Sequence, residues 1–106
     1  MSETTPDDFN IDSIDDVIHG RLRLGIMAFL STAGAAEFPL LKTRLQASDG
    51  NLSVQLRKLE EAGYVAIDKA FVGKKPQTTV TLTPAGRAAY IAYLDAMRKL
   101  IADSGL

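Results

Sequence analysis

The sequence predicts an α+β domain, mainly helical with one small β-hairpin, on three observations. Apolar residues recur at three- and four-residue spacing in four separate stretches, the mark of amphipathic helices. Two segments with β-branched residues in partial alternation, 64–71 and 78–83, flank the turn-prone run Val72-Gly73-Lys74-Lys75-Pro76-Gln77. The chain is 106 residues long, which suits one small domain.

Residues 1–12 form an acidic N-terminal lead with Pro6 and few apolar residues. Its start is expected to be mobile, with Phe9 and Ile11 able to pin its end to a partner surface. From Ser13, an expected N-cap, Asp15 and Asp16 fall in a first turn where the helix dipole favours acids. Ile14, Val17, Ile18, Leu22, Ile26, Phe29, Leu30 and Ala33 then carry one stripe to Gly34, so the spacing predicts one long helix over 13–34. Gly20 and Gly25 inside it each cost roughly 1 kcal/mol relative to alanine. Either one therefore marks a bend, a boundary between two helices or a close contact.

A short second helix is predicted over 37–46, where Phe38, Leu40, Leu41 and Leu45 are available for burial and Pro39 is tolerated in the first turn. Ala47-Ser48-Asp49-Gly50 breaks it. A third helix follows over 51–62, capped by Ser48 or Asp49, with Leu52, Leu56 and Leu59 inward and Gly63 ending it. The two β segments make a hairpin with a positive tip. Thr83 caps a final helix that begins at Pro84 and runs to about Asp103. Three helices, a hairpin and a last helix, with a short turn before the third, is the winged helix-turn-helix order, assigned to residues 13–106.

Composition excludes several chemistries. With no cysteine and one histidine, His19, the chain offers no thiolate metal site, disulfide, cysteine nucleophile or multi-histidine centre. No cofactor is expected, and the absence of a phosphate-binding glycine loop or an activated nucleophile pattern argues against an enzyme. No apolar run approaches the ~18 residues of a membrane span, so the expected location is the cytoplasm. Net charge is -1, but its distribution is uneven. Residues 1–18 carry six acids and no base, whereas 19–87 carry ten bases and five acids, a moderately basic body suited to nucleic acid.

The stretch LKTRLQASDGNLSVQLRKLEEAGYVAIDKAFVGKKPQTTVTLTPAGRAAY resembles the small winged-helix transcriptional regulators related to the MarR and ArsR groups. The likeness covers roughly residues 18–95, and its most specific parts are DGNLSVQLRKLEEAGYV and TTVTLTPAGR. The resemblance implies a homodimer that binds double-stranded operator DNA, usually as a repressor. It also implies a recognition helix in the major groove and a wing on the backbone or minor groove.

Stepping ~100° per residue along the third helix puts Arg57, Glu61, Val54, Lys58 and Asn51 opposite the leucine stripe, with Ser53 flanking and Gln55 nearer the buried edge. Asn51, Ser53, Val54 and Gln55 are placed for base edges: amides for adenine, Val54 for a thymine methyl. Arg57 suits guanine or phosphate, and Lys58 phosphate. Lys42, Arg44 and Ser48 from the preceding helix and turn, with Lys74, Lys75 and Gln77 on the wing, complete the expected DNA-binding set.

In the last helix Tyr90, Tyr93, Leu94, Met97, Leu100 and Ile101 form an apolar seam, with small Ala85, Ala89, Ala92 and Ala96 allowing close approach. A twofold dimer on this seam would set two recognition helices ~34 Å apart, one DNA turn, for a palindromic site. No effector site stands out, which leaves a small apolar ligand, a partner protein or protein abundance as routes of regulation. The alternative function is a winged-helix protein–protein interaction module, which the low pI of 5.7 favours. The acidic lead is also expected to compete with phosphates for the basic body.

Overall fold

The structure is a computed structural model that describes residues 10–105. A 3-10 turn, Ile11–Ser13, leads to α1 (Arg21–Ala33), β1 (Ala35–Glu37), α2 (Phe38–Leu45), α3 (Asp49–Glu61), β2 (Val65–Val72), β3 (Lys75–Leu82) and α4 (Pro84–Asp103). This is the expected α+β winged-helix order with one added strand. The expectations for Phe9 and most of the acidic lead lie outside the described residues.

The first helix is shorter than its apolar spacing predicts. Ser13 caps nothing; its hydroxyl donates back to the carbonyl of Asn10 at 2.7 Å. Instead Asp15 folds the chain into a turn, its Oδ1 accepting from the backbone N–H of Val17 at 2.8 Å and of Ile18 at 3.2 Å. Such a side-chain turn competes with helix for the same donors. Gly20, extended at φ -145, is the true N-cap of α1 and marks the boundary. Ile14 and Ile18 are nonetheless buried, so the stripe persists through a non-helical segment.

The core is built from one face of each element. Ile26, Met27 and Leu30 of α1, Leu41 of α2, Leu52, Leu56 and Leu59 of α3, Val65, Val80 and Leu82 of the sheet and Tyr93 of α4 form one cluster with Ile14, Ile18 and Ala36. Gly25 is a close contact: a Cβ there would stand 3.0 Å from Leu45 Cδ2, so α1 and α2 approach through it. Burying a leucine or isoleucine contributes about 1.5–3 kcal/mol, so this cluster accounts for most of what orders the helices.

The sheet has three antiparallel strands in the order β1-β3-β2. The short β1, Ala-Ala-Glu, pairs with Thr79–Thr81 and was not foreseen, since alanine and glutamate have little strand preference. The hairpin is longer and its loop tighter than expected: strands run to Val72 and from Lys75, joined by Gly73 and Lys74 alone. Gly73 has φ 66, the left-handed region a two-residue hairpin turn demands. Pro76 fits inside β3 because it lies beyond β1, whose pairing stops at Thr79, so its missing N–H leaves no broken bond on that edge.

Candidate nucleic-acid interface

Helix α3 is built to present one face. Ser48 Oγ accepts the backbone N–H of Asn51 at 3.1 Å, the N-cap bond, and the helix starts at Asp49, two residues before the expected Asn51. Leu52 and Leu59 have no exposure and Leu56 only 2%, which fixes the rotation of the helix on the core. Asn51, Ser53, Val54, Arg57 and Lys58 are all exposed on the other side. Val54 is 46% exposed, an apolar residue facing water in the middle of a polar surface. The exposed face predicted from helical periodicity is therefore present.

Gln55 departs from its expected role. It is half-buried, and its amide is already engaged: Oε1 accepts from Nη1 of Arg23 and Nε2 donates to Asn51 Oδ1 at 3.1 Å. Arg23, which periodicity assigned no role, reaches α3 from the first turn of α1. Sequence patterning within a single helix gives no sign of a partner 32 residues away.

The basic residues of α2 are less free than their sequence suggests. Lys42 Nζ pairs with Asp49 Oδ1 at 2.9 Å, both side chains largely solvated. An exposed pair of this kind contributes about 0–1 kcal/mol, so Lys42 remains available to an anion. The Arg44 guanidinium lies over the Phe29 ring, 5.8 Å from its centroid, which draws it toward α1. Ser48 is committed to the cap.

On the wing, Lys74 sits in the turn while Lys75 and the half-buried Gln77 belong to β3. A groove separates α3 from the hairpin, with Ser53, Arg57 and Glu60 on one wall and Ile67, Lys69 and Thr78 on the other. Lys69, an exposed cation of β2, was not among the expected contacts. Near the tip of β2, Phe71 and Val72 are 74% and 62% exposed.

The seam on α4 is narrower than predicted. Tyr93 is 3% exposed and belongs to the domain's own core, its hydroxyl hydrogen-bonded with His19 Nδ1 at 2.8 Å, so it leaves the seam. Burial, and secondarily the nearby Tyr90, raise its pKa. Tyr90, Met97 and Leu100 are partly buried against the same core. Leu94 and Ile101 remain exposed, joined by Ile91, which was not foreseen. Among the described residues no cluster of three potential metal ligands occurs, and no helix is long and apolar enough to cross a membrane.

Known proteins share this arrangement. A relative of Methanocaldococcus jannaschii, itself uncharacterized, is 35% identical over 78 residues, covering 74% of this chain and 85% of its own. The solved transcriptional regulator homologue from Pyrococcus horikoshii OT3 superposes with a TM-score of 0.79 at 30% identity, over 85% of this chain and 89% of that one. A MarR-family transcriptional regulator from Silicibacter pomeroyi superposes at 0.64 with 25% identity, over 83% of this chain and 58% of that one. The family model of winged helix DNA-binding domains matches residues 22–101, which span every helix and strand just described except the first residue of α1 and the last two of α4. The chain belongs to the winged helix DNA-binding domain family.

Proposed function

We propose that the protein is a sequence-specific DNA-binding transcriptional regulator, a homodimeric repressor that reads a palindromic operator with α3 in the major groove and the wing on the backbone or minor groove. The observation that carries this reading is the outer face of α3. Val54, 46% exposed and ringed by Asn51, Ser53, Arg57 and Lys58, is an apolar side chain outside the core that matches a thymine methyl among hydrogen-bonding base edges. The transcriptional regulators of Pyrococcus horikoshii and Silicibacter pomeroyi support the assignment at the level of fold and family.

In this reading Lys58, Lys74, Lys75 and Lys69 fix the register on phosphate, with Lys42 released from Asp49 to do the same. The exposed apolar residues Ile91, Leu94 and Ile101 of α4 provide the twofold contact, supported by Tyr90, Met97 and Leu100. If about six phosphates are neutralised per dimer, log affinity falls against log salt with a slope near -5.

The test is an anisotropy titration of labelled duplexes drawn from the protein's own upstream DNA, at two salt concentrations, with Arg57→Ala alongside. Tight, fragment-selective, salt-sensitive binding that Arg57→Ala weakens is the expected result. Binding no better than to random DNA would contradict the proposal and favour a protein-docking role for the same face.

A further inference from the structure

Arg23 holds an unusual position for a helix-start arginine. Its Nε donates to the carbonyl of Val17 at 2.5 Å, its Nη2 lies 3.5 Å from the carbonyl of Asp16, and its Nη1 donates to Gln55 Oε1 on α3. The guanidinium is seated over Gly20: a Cβ built there would stand 2.6 Å from Nη2 and 2.8 Å from Cζ. Arginine, carbonyls and glycine together form a built socket.

The socket dictates the orientation of two amides on the DNA-facing helix. A guanidinium has only donors, so the Gln55 atom that meets it must be the oxygen. The Gln55 nitrogen is then turned to Asn51, and the Asn51 atom 3.1 Å from it must be an acceptor, Oδ1. Each amide is thus fixed by chemistry rather than free to flip. Asn51 Oδ1 is directed along the helix at Gln55, and Nδ2 is directed away from it.

Bidentate recognition of adenine requires an amide oxygen and nitrogen aimed together at one base edge, accepting from N6 and donating to N7. With its oxygen turned along the helix to accept from Gln55, Asn51 cannot aim oxygen and nitrogen together at one base edge and leads with its Nδ2 donor. We propose that Arg23 is a specificity-positioning residue: through Gln55 it turns Asn51 so that its Nδ2 donor leads, which favours guanine, where N7 and O6 both accept, or thymine O4, over adenine, whose N7 acceptor lies beside the N6 donor that Asn51 can no longer pair bidentately. The proposal rests on the DNA-reading role of α3 proposed above.

The experiment is selection of bound sequences from a random duplex library by the full chain, comparing wild type with Asn51→Ala, Arg23→Ala and Gly20→Ala. Asn51→Ala identifies the base position in each half-site that this residue reads. Gly20→Ala keeps the arginine charge but evicts its guanidinium from the socket, and its extended backbone at φ -145 accommodates alanine. Guanine or thymine is expected at the Asn51 position with wild type. Gly20→Ala and Arg23→Ala are expected to lose that preference and shift toward adenine by about tenfold, with other positions unchanged. Selective binding by wild type with an unaltered preference in both variants would overturn the proposal and leave the DNA-reading role standing. So would a uniform affinity loss in Arg23→Ala alone with a shallower salt slope, which marks a plain phosphate contact. Absence of any selected sequence with wild type would overturn both readings.

Discussion

The hydroxyl of Tyr93 and Nδ1 of His19 lie 2.8 Å apart, joining the middle of α4 to the segment just before α1. The lone histidine of the chain is thus placed as a structural partner, and the tyrosine it meets is almost wholly buried at 3% exposure. Tyr93→Phe is expected to cost about 1 kcal/mol, the net worth of one hydrogen bond, because the ring still fills its site. Tyr93→Ala should cost about 3–5 kcal/mol through the cavity it leaves. Urea denaturation of both variants checks the difference; equal losses would place the energy elsewhere.

Tyr64 gives the fold a pH dependence at the alkaline end. Its hydroxyl donates to Asp15 Oδ2 at 2.5 Å, and that bond, followed by burial and the Asp15 charge, pushes its pKa up to about 12 from 10.0. A folded-state value above the unfolded one means the protonated tyrosine stabilises the fold. The contribution is complete below pH 10 and is lost as pH rises toward 12. Thermal melts between these limits should show wild type falling faster than Tyr64→Phe, and parallel curves would contradict the assignment.

Gly86 sets how closely α4 can approach the turn between α3 and β2. A Cβ there would stand 2.0 Å from the carbonyl oxygen of Tyr64 and 2.8 Å from its carbon, both backbone atoms. The same corner is tied by Thr83, whose Oγ1 donates to Gly63 O at 2.6 Å and accepts from Gly86 N at 2.9 Å. Gly86→Ala should therefore destabilise by about 3 kcal/mol or more, since only a shift of the whole helix relieves the overlap. A melting temperature equal to wild type would show that α4 is not seated as described.

The dimer proposal is tested on the residues α4 leaves in solvent. Leu94→Lys combined with Ile101→Lys alters positions that are 42% and 50% exposed, so monomer stability should change by no more than about 0.5 kcal/mol each. Sedimentation velocity should show a dimer for wild type and a monomer for the double variant, with weakened DNA binding. Identical sedimentation of the two proteins would contradict the seam.

Much of this architecture was legible in the sequence because local and tertiary signals agree. Leu52, Leu56 and Leu59 give the rotation of α3, Ser48 or Asp49 a cap that the structure resolves to Ser48, and Thr83-Pro84 the start of α4, and each feature acts within a few residues. What was not legible depends on distant partners. β1 is a strand only because Thr79–Thr81 offer it hydrogen bonds. The segment before Gly20 keeps helical spacing, yet Asp15 turns it, and burial of Ile14 and Ile18 is compatible with either backbone. Lys75 and Pro76 read as loop residues, and they extend a strand because β1 ends before reaching them. At the interface, periodicity places Val54 and Arg57 outward, but only the packed structure shows Gln55 held by Arg23 and Tyr93 withdrawn into the core.

In the proposed function the outer face of α3 touches DNA and contributes little to the fold. Val54→Asp tests it in one paired measurement: urea denaturation, and anisotropy titration against the duplex that wild type selects. Stability within about 0.5 kcal/mol of wild type is expected, because the side chain is 46% exposed, together with at least a ~100-fold loss of affinity as a carboxylate meets base edges and phosphates. Unchanged affinity for that duplex, with the fold intact, would contradict it.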